Sequence, residues 1–307
     1  MPISTFYLVL SGLLWGTGGL IGTLLGRAAG LSAISVAAYR LLAGGGIIVA
    51  FLTLTGRQWP TGRAAWTRIA VNGLLSALFQ GCYFAAISLT SVSLATLVTI
   101  GGTPVIVAIV EQARGRRALG RAGVITTGLA LAGLGLLVGV PGGGLSETAV
   151  LASTALALLS AAGFAAVTLI ATSPVPGLDE LAVNGFGFSL GGVALLPLAA
   201  VLGGGLSVRP GLASAGLLAA LAIGPTAVAY TLYFRGLREA SAATAALLSL
   251  IEPLAATALA ALVLGQRLSA AGIAGAVMLL AAVARTVLAD SAPRRSPHRR
   301  QLRTRGR

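Results

Sequence analysis

The residues of this chain that could do chemistry sit inside apolar runs. Glu252 lies about ten residues into a hydrophobic stretch that starts near residue 242. Arg40 lies about seven residues into another, hence ~10 Å from its end if that stretch is helical. A carboxylate and a guanidinium are both costly in hydrocarbon, so each must face an interior, a partner or water. Glu252 could attract a cationic group, carry a proton, or bond backbone donors beside Pro253. Arg40 could grip a carboxylate or phosphate through its planar fork, or reach back to headgroups.

Polar side chains recur on single helical faces around these two. Asn72, Ser76, Gln80 and Tyr83 follow one another at intervals of four, four and three, which places them on one stripe. Thr96, Thr99 and Thr103 form a second stripe ending beside Pro104. Thr226, Tyr230 and Tyr233 follow Pro225, and Ser241, Ser249 and Glu252 precede Pro253. Lipid offers such groups no partner, so these faces turn inward. Taken singly, each serine or threonine is best read as a bond between helices; taken together, the stripes predict a lined cavity. Trp15, in LLWGTGG, is either a wall of that cavity or packing beside glycines. The predicted substrate-binding set is Trp15, Arg40, Gln80, Tyr83, Thr103, Tyr230 and Glu252.

Bond-making chemistry has no comparable support. Cys82 and His298 are the only residues of their types, which leaves neither a disulfide framework nor a thiolate metal cluster. HExxH, paired-cysteine and nucleophile-elbow patterns are missing. The GGG runs at residues 44–46 and 203–205 lack the Lys-Ser/Thr of a phosphate loop. The expectation is a protein that is not an enzyme and takes no metal or cofactor.

The elements that position these residues follow from composition. Hydrophobic residues make up 56% of the 307 and charged residues 9%, with a mean hydropathy of +0.95. Those values lie outside the range of soluble domains. Ten runs of ~20 residues, each able to cross a bilayer, fall near 6–25, 33–54, 69–88, 92–112, 122–140, 149–171, 181–202, 213–234, 242–263 and 270–289. The chain also repeats itself: residues 103–124 and 252–273 align without a gap at an offset of 149, Pro104 meeting Pro253 and Gly123 meeting Gly272. Ten spans make five per repeat. An odd number forces the second half into the membrane upside down, as in inverted-repeat carriers whose sites lie at matched, proline-interrupted helices. The fold class expected is all-α: a polytopic membrane protein of ten transmembrane helices in two inverted five-helix repeats. The repeats are placed at residues 1–141 and 142–289, followed by an Arg-rich, disordered cytoplasmic tail at 290–307.

Charge orients the bundle. With the N-terminus inside, Arg57, Arg63, Arg68, Arg114, Arg116, Arg117, Arg121, Arg235, Arg238 and Arg285 fall at cytoplasmic ends, against Arg27, Arg40, Arg209 and Arg267 outside. That is the positive-inside pattern, with both termini cytoplasmic. Half of the net charge of +14 belongs to the seven arginines of the tail. Such a tail is drawn to anionic headgroups, and without aromatic residues it is a poor nucleic-acid arm. Glu111 and Arg114, three apart, are read as a surface ion pair. Glycines crowd the fifth span and small residues open the tenth, so helices approach closely there, either within one chain or in a homodimer.

The second-half stretch at residues 224–275, with YRLLAG at 39–44, LLWGTGG at 13–19 and a weaker copy LLSAAGF at 158–164, resembles the EamA-like carriers of the drug/metabolite transporter superfamily. The resemblance covers nearly the whole chain except the tail. It implies a ten-helix carrier of small organic solutes in the cytoplasmic membrane, usually an exporter, and leaves the solute open. Where the family often has Gly-Glu after the ninth span, this chain has Gly265-Gln266, and Arg117 stands at the matching first-half position. A mechanism that relies on an acid there is therefore not expected. The function expected is alternating-access export of amino acids or related metabolites, with proton coupling through Glu252 open. Rival readings are a drug or nucleobase carrier, a membrane-embedded enzyme, and a non-transporting scaffold.

Overall fold

The computed structural model describes residues 1–115, 120–139, 146–173, 175–265 and 267–291. Arg116, Arg117, Gln266, most of the loop between the halves and the tail from residue 292 lie outside the described residues. Seven helices each form one span: α1 (Ile3–Ala29), α2 (Ala33–Leu54), α3 (Gly62–Leu89), α4 (Val92–Ala113), α5 (Arg121–Val138), α6 (Glu147–Ala171) and α7 (Glu180–Leu202). The eighth span is α8 (Leu212–Ala222), a π-helical turn (Ile223–Val228) and α9 (Ala229–Gly236). The ninth is α10 (Ala242–Leu248) followed by α11 (Ile251–Leu264), and α12 (Ala270–Ser291) closes the set. All ten spans are long and apolar enough to cross a membrane, and their ends agree with the hydropathy reading to within a turn or two. α12 runs through Asp290 to Ser291, taking in the first two residues of the expected tail.

Short polar caps start several of these helices. Ser32, Ser91, Ser146 and Ser241 each accept a hydrogen bond from the backbone N–H three residues on, and Asp179 accepts one from Leu181. These bonds satisfy donors that the first turn leaves free.

Two contacts assign the loops to faces. Thr5 Oγ1 donates to Asp290 Oδ2 at 2.5 Å, so α1 begins on the face where α12 ends; we call this the terminal face. The Arg209 N–H donates to the Ala29 carbonyl at 2.9 Å, which puts the loops after α1 and α7 together on the opposite face. Spans one to five and six to ten therefore enter from opposite sides, as an odd repeat requires.

Packing interleaves the halves: α2 lies on α7, α3 on α6 and α7, and α1 on α9 and α11. Glycine sets the closest approach. A Cβ on Gly16, in the LLWGTGG segment, would meet the Ala255 Cβ at 2.4 Å, so α1 can lie on α11 only without a side chain there. Gly133 of α5 and Gly275 of α12 abut in the same way, a Cβ on Gly275 falling 2.4 Å from the Leu137 nitrogen. These two glycines are used for packing inside one chain.

The two matched prolines act differently. Pro253 stands in the first turn of α11, where its missing N–H costs nothing, after a turn at Ser249 and Leu250 that splits the span. Pro104 lies inside α4, which continues through it. Proline cannot donate to the Ile100 carbonyl one turn back, so the expected break becomes a single freed acceptor in an intact helix. Glu111 also departs from expectation: it forms no ion pair with Arg114, and its Oε2 is buried without a hydrogen-bond partner among the described residues.

Candidate functional site

A cavity of about 490 Å³ lies between the halves, within the size range of small-molecule sites. All seven residues singled out from the sequence line it: Trp15, Arg40, Gln80, Tyr83, Thr103, Tyr230 and Glu252. Its lining extends from Glu252 and Tyr230 inside the bundle to Arg27 and Leu31 near the opposite face, so the cavity opens that way.

Each charged wall has an identifiable local cause. Pro225 cannot donate to the Leu221 carbonyl, and the chain widens into a π turn there, a device frequent at functional sites. Thr226 Oγ1 donates to that carbonyl at 2.8 Å. The guanidinium of Arg40 reaches the same turn, Nε donating to Thr226 Oγ1 at 3.3 Å and Nη2 to the Pro225 carbonyl at 3.4 Å. Arg40 thus turns inward and does not extend to the headgroups. Across the cavity, Glu252 occupies the first turn of α11, where helix N-terminal N–H groups favour a negative charge. Its carboxylate makes no hydrogen bond and no direct ion pair among the described residues, and Arg40 is the charged group that acts on it. Deep in the cavity, Arg40 and Glu252 are a cation and an acid that do not neutralise each other by contact, and Arg27 adds a second cation near the mouth.

Aromatic side chains floor the cavity. The Trp15 ring lies 4.9 Å from both Tyr230 and Tyr233 and 5.8 Å from Phe164, centroid to centroid. Phe79 stacks on Phe164 at 5.1 Å, and Phe188 meets Tyr230 edge-on at 4.7 Å. Inside this layer the Tyr233 hydroxyl bonds Thr168 Oγ1 at 2.8 Å, so Tyr233 belongs to the floor and not to the lining. Tyr83 pairs with Thr96 at 2.7 Å, and Thr103 donates to the Thr99 carbonyl at 2.8 Å. The Trp15 Nε1 is buried with no partner among the described residues. An unpaired buried donor costs about 1–3 kcal/mol.

Other polar stripe residues bond backbone carbonyls. Asn72 donates to Val183 at 3.5 Å and Thr99 to Ala157 at 3.1 Å, both between helices, while Ser249 donates to Ala246 of its own span at 2.8 Å; Thr99 and Ser249 also line the cavity. Sequence reasoning missed Phe79, Phe84 and Phe164 as cavity lining. The signal was present: Phe79 adjoins Gln80, and Phe164 ends the LLSAAGF copy. Apolar rings in apolar helices, however, look the same whether they meet lipid, core or ligand.

On the terminal face the bundle is shut. Arg57 pairs with Asp179 at 2.6 Å and Arg238 with Glu180 at 3.4 Å. Arg68 donates to the carbonyls of Ile170 and Ser173. Being partly exposed, each pair is worth at most about 1 kcal/mol, enough to bias a conformation and too little to lock it.

Comparison with known proteins agrees with this architecture. The family model described as "EamA-like transporter family" matches twice, at residues 2–139 and 152–288. An uncharacterized transporter of Bacillus subtilis, YwfM, is 28% identical over 295 residues, 95% of each chain. A WAT1-related chloroplastic protein of Arabidopsis thaliana, At3g02690, is 28% identical over 267 residues, covering 81% of this chain and 61% of that protein. A solved crystal structure superposes with a TM-score of 0.77 at 21% identity, over 93% of this chain and 98% of the other; at that identity it speaks for the fold alone.

Proposed function

The chain belongs to the EamA-like transporter family, a multi-pass membrane transporter of small molecules, and we propose that its cargo is a zwitterionic metabolite of the amino-acid class. One observation carries this reading: Arg40 and Glu252 face a single cavity without touching, beside the unpartnered Trp15 donor. A carboxylate placed between Arg40 and Trp15 receives charge-assisted bonds. An ammonium group beside Glu252 receives the matching charge, and the ring faces of Trp15 and Tyr230 add cation–π attraction. A neutral solute would leave both charges partly desolvated and unpaired, which is strongly unfavourable.

The cycle is alternating access. The cavity is open at one face and sealed at the other by the aromatic floor and the two ion pairs, and two inverted halves can exchange these roles by rocking about the site. We place the repeats at residues 1–141 and 142–289. With the arginine-rich terminal face cytoplasmic, both termini are inside, the membrane is the plasma membrane, and the cavity faces outward. Glu252 then serves two occupants in turn, the substrate ammonium group on the way out and a proton on the return, which makes export proton-coupled.

The test is a counterflow screen in proteoliposomes with labelled amino acids, nucleobases and lipophilic cations. Exchange confined to amino acids supports the reading. Exchange of nucleobases or lipophilic cations alone would replace it with a drug-type carrier.

A further inference from the structure

A second, much smaller cavity, of about 20 Å³, lies at the terminal face on the other side of the aromatic floor. Its walls include Arg68, Asn72, Leu178, Glu180, Val183 and Asn184. Its position in the repeat is specific. Leu178, Glu180 and Val183 stand 147 positions after Leu31, Ala33 and Val36, three residues at the mouth of the large cavity. Asn72 stands 149 positions before Leu221, another lining residue of that cavity. On this alignment, two residues short of the 149 offset in α2 and α7, the small cavity corresponds to the open mouth.

The two mouths differ in chemistry. Ala33 of the open mouth is matched by Glu180 and Leu221 by Asn72, with Asn184 added one turn after Glu180, while the open mouth carries Arg27. Glu180 and Asn184 are four residues apart, so they share a helix face. Asn184 is 2% exposed. Its Oδ1 and the Glu180 Oε2 are both buried with no hydrogen-bond partner among the described residues. Native structures rarely leave such acceptors unpaired without a reason. Two neighbouring orphan acceptors, one of them anionic, call for a donor carrying positive charge. The nearby arginines are already engaged: Arg68 with the carbonyls of Ile170 and Ser173, Arg238 with Glu180 Oε1.

We propose that Glu180 and Asn184 form a second substrate site at the terminal face, which takes the ammonium group of the cargo when the Arg238–Glu180 and Arg57–Asp179 pairs part. The ammonium group passes from there to Glu252 as the aromatic floor opens. This assignment rests on the zwitterion reading above. It adds an asymmetry that reading does not contain: the terminal-face mouth offers an acid to the cargo, whereas the opposite mouth offers Arg27 among apolar residues.

The test is thiol accessibility in the full chain, in oriented proteoliposomes and a Cys82→Ala background, since Cys82 is the lone native cysteine. Val183→Cys reports from the small cavity with Glu180 and Asn184 intact, and Thr23→Cys reports from the large one. The probes are trimethylammonium-ethyl and sulfonato-ethyl methanethiosulfonate. From the terminal face, Val183→Cys should react at least tenfold faster with the cationic reagent, each rate being divided by that of the same reagent with a free small thiol. Adding Glu180→Gln should bring that ratio close to one. Arg238→Gln should raise both rates while slowing Thr23→Cys from the opposite face. Asn184→Cys serves as the second reporter if Val183→Cys folds poorly. A ratio at or below one with Glu180 present overturns the proposal. So does lack of reaction at both reporters in the Arg238→Gln protein, the behaviour of a sealed packing gap holding one water. These rates do not depend on cargo identity, so a failed counterflow screen and a failed accessibility test are separate results.

Discussion

Replacing Arg40 separates substrate recognition from folding. Its two hydrogen bonds, at 3.3 and 3.4 Å, are longer than the usual N–H···O range. The guanidinium is held loosely and keeps one edge for a ligand. Arg40→Lys retains the charge but not the fork, so it loses one of two parallel charge-assisted bonds to a carboxylate. Such a bond is worth about 1.5–3 kcal/mol, which corresponds to a roughly tenfold to hundredfold rise in KM at ~1.4 kcal/mol per decade. Arg40→Met keeps length and removes the charge, leaving the substrate carboxylate without a counter-ion. Breaking a fully buried pair costs about 3–5 kcal/mol, and because the cavity is open to water we take the lower end, roughly a hundredfold or more in KM. Folding should change little, since neither original bond is short. The assays are counterflow KM and the thermal unfolding midpoint in detergent. The reasoning fails if both variants keep a KM within twofold of the parent. It also fails if the Lys variant loses exchange only because it no longer folds.

Other outcomes follow from the same geometry. If Glu252 accepts a proton in the cycle, exchange should vary with pH in the parent and not in Glu252→Gln; Arg40, Tyr83 and Tyr230 are the groups that share its field. An unchanged pH profile in that variant would reduce Glu252 to a substrate contact. Gly275→Leu should separate α5 from α12 and destabilise the protein by about 2 kcal/mol or more, seen as a lower unfolding midpoint. Gly135→Leu, which meets open space, should leave the midpoint in place. Tyr233→Phe strands the buried Thr168 hydroxyl and should cost about 1–2 kcal/mol while sparing KM. Labelling of Val208→Cys by an impermeant maleimide in Cys82→Ala cells should succeed from outside, and that of Arg63→Cys only after permeabilisation; the reverse would invert the topology.

The spans and the membership of the cavity were legible because hydrocarbon is an unforgiving solvent. A polar group inside a long apolar run must turn inward, so the stripe ending at Gln80 and Tyr83 identified a wall without any structure. The same logic over-reads: Asn72 and Tyr233 also turn inward, yet they bond neighbouring helices. Proline position was legible and its consequence was not. Pro253 begins a new helix, Pro225 sits in a π turn where Thr226 re-satisfies the freed carbonyl, and Pro104 lies in an unbroken helix, so the residue type alone does not fix the outcome. The aromatic floor was illegible for a different reason. Nothing local distinguishes Phe164 facing Trp15 from a phenylalanine facing lipid. Helix pairing decides that, through contacts such as Gly16 on Ala255 that no periodicity encodes.

The central claim is that the cargo bridges Arg40 and Glu252 with both of its charges. The measurement that addresses it most directly is competition in counterflow between the best free amino acid, its N-acetyl form and its C-terminal amide, all with the same side chain. Each capped form lacks one charge, so each should compete at least tenfold more weakly than the free zwitterion. Arg40→Met should abolish the discrimination against the amide, and Glu252→Gln that against the N-acetyl form. Capped forms that compete as well as the free amino acid would contradict the account.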